Sequence, residues 1–284
     1  MKGRTIALIG DSGSGKTTQA GEYAKHVFKT RQQKTLYHGA DTGGYDAIEH
    51  LVDLGLITAN SLGSDDDPWI WSEQACSGAL HGTVPDLGLV VFDSGSSIGE
   101  VLLNACAKMA AAGQDIGGRR APSFNVRTKD GGTQKMGSNS DSHYFVVQNH
   151  MRDMINRSTW LTEGGIDVMW TFGLDRGEKA DQTPILGPLV VGHALTKSVA
   201  RWFKYTFPIM TVPVPGEPAK HVMHLTEQSD AIGLSTIVAN GRYPIDAITP
   251  LPASLEPASI SQAITLIEQG KQEARDAVKN ELGL

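Results

Sequence analysis

The stretch Ala7-Leu8-Ile9-Gly10-Asp11-Ser12-Gly13-Ser14-Gly15-Lys16-Thr17-Thr18-Gln19 constrains this chain more than any other. Glycines let a backbone take positive φ angles, so successive N–H groups can point into one cavity. Gly10, Gly15, Lys16 and Thr17 fall at the spacing that holding a nucleotide's phosphates requires. Amides at a helix N-terminus surround the β-phosphate, a lysine reaches the β- and γ-phosphates, and a hydroxyl meets Mg²⁺. Every residue from Gly10 to Thr18 is a candidate contact. The flanks agree: residues 5–9 are an apolar run that reads as a buried strand, and Ala20, Ala24, Val27 and Phe28 recur at helical spacing.

A second element supports the first. Residues 87–92 are the clearest strand in the chain, six residues almost all apolar, and they end at Asp93. An acid at the end of such a strand sits beside the phosphate loop and holds the Mg²⁺ shell together with the loop hydroxyl, here Thr17. The next residue is Ser94 rather than Glu, so a water-activating carboxylate must come from elsewhere. Asp41 follows the short strand 35–38. In a parallel sheet the C-terminal strand ends share one edge, where the nucleotide also sits, so Asp41 can face the γ-phosphate. A solvent-exposed turn at Asp41-Thr42-Gly43-Gly44 is the alternative.

The rest of the chain alternates strands and helices, with helices expected over 47–54, from Ile98 to Met109 and over 144–161, and a strand over 166–172. That order predicts an α/β fold with a mostly parallel sheet flanked by helices. Residues 208–257 are proline-rich with short strand-like pieces. Residues 257–281 form an amphipathic helix with Ile260, Ala263, Ile264 and Ile267 on one face and Ser259 or Ser261 as its cap. One domain over residues 1–284, with a C-terminal β-rich extension from 208, is the simplest organisation.

A net charge of −6 excludes a chain that binds polyanions through its overall charge. Residues 113–142 are the exception. They carry Arg119, Arg120, Arg127, Lys129 and Lys135 against Asp115, Asp130 and Asp141, and six glycines. This reads as a long mobile loop suited to single-stranded DNA, with a partnerless surface loop as the alternative. Two cysteines, Cys76 and Cys106, give no disulfide framework, and the apolar run at residues 6–9 is too short for a signal core or a membrane span. The expectation is a cytoplasmic protein with no membrane partner. No histidine pair has a cysteine at metal-ligand spacing.

The phosphate loop, the acid past the second strand and Leu89-Val90-Val91-Phe92-Asp93-Ser94 together resemble the RecA-like P-loop ATPase core. More narrowly, residues 183–203 and 240–264 resemble phage-encoded RecA/AAA-type nucleotide-binding proteins, some of which act in single-strand annealing or recombination. The resemblance implies ATP and Mg²⁺ as cofactors, ATP hydrolysis, a DNA partner, a homo-oligomer and the host cytoplasm. It implies that Asp41 polarises the attacking water, where the family has the longer Glu. It also implies that Thr171 senses the γ-phosphate, although Phe172 and Gly173 follow where an amide is expected; a plain β-branched strand residue is the alternative. Arg176, Lys179, Lys197 or Arg201 would supply a charge-stabilising finger, against solvated surface charges. Two other functions stay open. One is a small-molecule or nucleotide kinase, with Leu174-Asp175-Arg176-Gly177 near an acceptor. The other is a nucleotide-gated binding module with negligible turnover.

Overall fold

The structure, a computed structural model, describes residues 2–41, 44–112, 115–116, 119–120, 123–127, 133–137, 141–178, 184–191, 199–226, 228–229, 236–237, 239, 244 and 247–282. In chain order the first half is β1 (Thr5–Ile9), α1 (Lys16–Arg31), β2 (Lys34–Gly39), α2 (Glu49–Asp53), β3 (Ile57–Ser61), α3 (Pro68–Ala75), α4 (Gly78–His81), β4 (Leu87–Asp93) and α5 (Gly95–Ala111). Two antiparallel ribbons follow, β5 (Asp115–Ile116) with β6 (Arg119–Arg120) and β7 (Ser123–Arg127) with β8 (Thr133–Gly137). The chain then runs through α6 (Asp141–Thr159), β9 (Asp167–Glu178), β10 (Pro184–Leu189), β11 (Tyr205–Val212), β12 (Lys220–His224), β13 (Gln228–Ser229), β14 (Thr236–Ile237), β15 (Ser254–Leu255) and α7 (Ile260–Leu282).

The strands β3, β2, β4, β9, β1 and β11 lie side by side in that order and are mutually parallel. β12 and β15 extend the β11 edge antiparallel. Parallel strands need helical crossovers on the sheet faces, and the pleat decides which residues meet them. Ile6, Leu8, Leu89, Val91 and Met169 pack with α1 and α7 residues in one core, whereas Ala7, Val90, Phe92, Val168 and Trp170 pack with α3, α5 and α6 residues in the other. This is the α/β class expected from the sequence, with the final helix and short C-terminal strands as additions to it.

Several elements differ from the sequence reading. β9 does not stop at 172. Its second half, Gly173 to Glu178, leaves the parallel sheet's core and pairs antiparallel with β10. The apolar signal ends there because these residues are at the sheet's margin. The segment read as helix 47–54 is a 3₁₀ turn, Asp46–Ile48, running into the short α2. α3 was not anticipated, yet its start carries a full signature: Asp67 accepts from the N–H groups of Trp69 and Ile70, and Pro68 holds the first helical position. Within residues 113–142, read as loop, the two ribbons stand.

At the sheet's N-terminal edge the fully buried Asp167 gathers the opening of β1 and the end of α1. It accepts from the Arg4 N–H at 2.8 Å, the Tyr23 hydroxyl at 2.8 Å and the Arg31 guanidinium at 2.9 Å. α7 is held to α1 by Gln19, whose amide donates to the Ala258 carbonyl at 2.9 Å and accepts from the Ile260 N–H at 2.9 Å. Among the described residues no helix is long and apolar enough to cross a membrane.

Candidate functional site at the C-terminal edge of the sheet

The loop between β1 and α1 is shaped by its glycines. Gly13 and Gly15 have φ of +75° and +88°, and space is open where a Cβ would stand on either. Gly10 is required for a different reason: a Cβ there would meet Ser14 Oγ at 2.4 Å and the Ile209 carbonyl oxygen at 2.6 Å. The loop is anchored by Gly10 N–H to the Phe172 carbonyl at 3.1 Å and closed by Ser14 N–H to the Asp11 carbonyl at 3.1 Å. The amides of a helix's first turn have no acceptor of their own, so the start of α1 offers N–H donors to an anion. Lys16 lies across the loop, donating to the Gly10 carbonyl at 2.7 Å and the Asp11 carbonyl at 2.9 Å. Burial lowers its ammonium pKa, while Asp93, Asp11 and Asp41 pull the other way.

Asp93 ends β4 and is 4% exposed. The parallel register sets Gly39 of β2 beside it. On the other flank, β9 pairs Trp170 with Phe92 and Thr171 with Leu8, so Thr171 falls between Asp93 and β1. Side chains on the α1 face therefore converge on one carboxylate. The Thr17 hydroxyl donates to Asp93 Oδ2 at 2.6 Å. The Tyr37 hydroxyl donates to the same oxygen, and the Thr171 hydroxyl donates to Oδ1. A carboxylate with hydroxyl donors on both oxygens is held in one orientation, and the Thr17–Asp93 oxygen pair suits a hard cation such as Mg²⁺.

A cleft of about 580 Å³ opens over the loop, lined among others by Asp11, Gly13, Lys16, Thr17, Asp41 and Asp93. Its rim also carries Ser96, Ser97 and Glu100 from α5. The cleft thus brings together the loop residues, Asp41 and Asp93. Thr171 is fully buried and turned to Asp93 rather than lining the cleft. Arg201 is exposed on the 3₁₀ turn Val199–Trp202. Arg176 lies on β9 opposite Leu186, whereas Lys179 and Lys197 are outside the described residues. Arg119 and Arg120 form β6 and Arg127 ends β7; Lys129 is outside the described residues.

The sequence reading missed Tyr37 and Glu100. Glu100 had a legible signal, seven residues past Asp93 on a helix that begins at the strand end. Tyr37 had none, because only strand order puts it against Asp93. A second cleft of about 610 Å³ adjoins the first and shares Asp41 with it; Ser61, Ser64, Asn104 and Lys108 are among its lining residues.

No family model matches the chain, and no curated protein does. Among solved structures, the chain is similar to a KaiC-like protein from the hyperthermophilic archaeon Pyrococcus horikoshii. The two share 12% identity over 78% of each chain, with a TM-score of 0.43. A likeness that distant assigns no residue a role.

Proposed function

We propose that this chain binds ATP with Mg²⁺ and hydrolyses it, as the RecA-like resemblance of its sequence implies. The observation that carries the reading is the hydrogen bond between Thr17 and Asp93 at the mouth of a loop whose glycines have the φ angles a phosphate cradle needs. The loop amides and Lys16 hold the β- and γ-phosphates, exchanging the Gly10 and Asp11 carbonyls for phosphate oxygens on the lysine. Thr17 and Asp93 would hold Mg²⁺, which supplies charge neutralisation at the transferring phosphoryl group. Asp41 orients a water. The water oxygen bonds to Pγ, the bond from Pγ to the bridging oxygen breaks, and the water's proton passes through Asp41 to solvent. Thr171 acts on this site through Asp93, which its hydroxyl fixes.

The local positive charge of Arg119, Arg120, Arg127 and Lys129 in an acidic chain supports single-stranded DNA as partner. The role in phage recombination or replication rests on the sequence resemblance alone. Phosphate release from ATP, measured with and without a single-stranded oligonucleotide, tests both parts. Release that the oligonucleotide accelerates is expected. Release unchanged by it removes the DNA partner, and no release at all removes the hydrolase.

The second cleft favours one other reading. Because it shares Asp41 with the first, a small acceptor seated there can present a hydroxyl to the γ-phosphate with Asp41 as its base. A phosphorylated acceptor in place of free phosphate identifies this kinase reading.

A further inference from the structure

Tyr37 touches both halves of the site. Its hydroxyl donates to Asp93 Oδ2, and the Tyr37 hydroxyl oxygen lies 3.1 Å from the Gly44 carbonyl oxygen. The Gly44 N–H donates to the Asp41 carbonyl at 3.0 Å. A phenol has one proton and serves one acceptor fully at a time. A carboxylate is the stronger acceptor and takes it.

We propose that Tyr37 is a positioning residue that couples metal binding at Asp93 to the hydrogen bond between Gly44 and Asp41. The inference rests on the reading of Asp93 as a magnesium-shell acid. An Asp93 carboxylate shared with a cation is a weaker acceptor. The phenol proton then passes from Asp93 Oδ2 to the Gly44 carbonyl oxygen, one hydrogen bond breaking as another forms. Gly44 gains a side-chain clamp only when the phosphate site is loaded with metal, and Asp41, bonded to it, is set in place at that moment. Without the phenol, nucleotide and metal still bind, but Gly44 does not respond.

The test is amide hydrogen exchange at Gly44 in the full chain, with ATPγS present, with and without Mg²⁺, compared between the native protein and Tyr37→Phe. The phenyl ring keeps the core volume. In the native protein, Mg²⁺ is expected to slow exchange at Gly44 about tenfold, the worth of one hydrogen bond. In Y37F this Mg²⁺ effect is expected to vanish, ATPγS affinity to stay within about twofold, and kcat for ATP to fall about tenfold with KM little changed. A Mg²⁺ effect in Y37F equal to that of the native protein overturns the proposal. Should Y37F not fold, the native arm decides alone: no Mg²⁺ effect at Gly44 overturns it. A native protein that binds no ATPγS overturns the proposed function itself, a result separate from these.

Discussion

Thr17 and Asp93, 76 residues apart in sequence, meet through a 2.6 Å hydrogen bond that joins the start of α1 to the end of β4. The contact exists because β9 lies between β1 and β4 and brings Thr171 to the other carboxylate oxygen. Strand order, more than any one motif, makes the loop and the acid a single site.

Replacing Asp93 with Asn keeps the shape and removes the charge that faces the loop. ATP is expected to bind in the variant, but the strengthening of binding by Mg²⁺ is expected to disappear. Calorimetric titration of ATP with and without Mg²⁺ checks this. A Mg²⁺ dependence equal to that of the native protein would exclude Asp93 from the metal shell.

Asp41→Asn separates binding from chemistry. Asp41 lines the cleft without supporting the loop's hydrogen bonds, so ATP affinity is expected to stay within about twofold. Turnover is expected to fall about 100-fold or more, the usual scale for losing a positioned general base. Steady-state phosphate release gives the answer. A similar loss in Glu100→Gln with little in D41N would move the water-orienting role to the α5 carboxylate.

Much of the site was legible from local pattern. The loop, its strand and Asp93 are contiguous signals, since each needs only its own neighbours to take shape. The partners of Asp93 were not: Tyr37 and Thr171 reach it from other strands, and nothing in a single strand states which strands flank it. The helix α3 was readable in principle, because Asp67 and Pro68 spell out a helix start. Its Trp71 is 4% exposed, so the helix also buries a large side chain against the sheet. The antiparallel half of β9 was hidden by its polar, glycine-containing sequence, which has no apolar alternation.

The buried Asp167 cluster gives a control far from the chemistry, at the opposite end of β1 from the loop. Asp167→Asn takes from the Arg4 guanidinium, 11% exposed, its fully buried carboxylate partner and leaves it only the half-exposed Glu268 at 3.5 Å. A loss of about 3 kcal/mol in unfolding free energy is expected, from breaking a buried pair on one side. ATP affinity is expected to hold. Urea unfolding with an unchanged m-value and an ATP titration check the two halves.

His38 makes stability pH-dependent. Burial, then the neighbouring His81, lowers its pKa from 6.5 to about 3. The unfolded chain protonates this side chain near pH 6.5 and the folded chain does not. Its contribution is therefore full above about pH 6.5 and is lost as pH falls towards 3, at up to about 1.4 kcal/mol per pH unit. Burial lowers the His81 pKa too, so the two act in the same direction. In His38→Phe, stability measured by urea unfolding is expected to fall less steeply between pH 6 and 4. An unchanged slope would contradict a neutral buried imidazole.

The central claim is that the loop from Gly10 to Thr17 holds the phosphates of ATP. Calorimetric titration of ATP with Mg²⁺ into the native protein and into Lys16→Ala measures it directly. The native protein is expected to bind one ATP with a dissociation constant of about 1–100 μM, and K16A to bind about 100-fold more weakly or not at all while its melting temperature stays near native. Equal ATP affinity in the two proteins, or no binding by the native one, contradicts the claim.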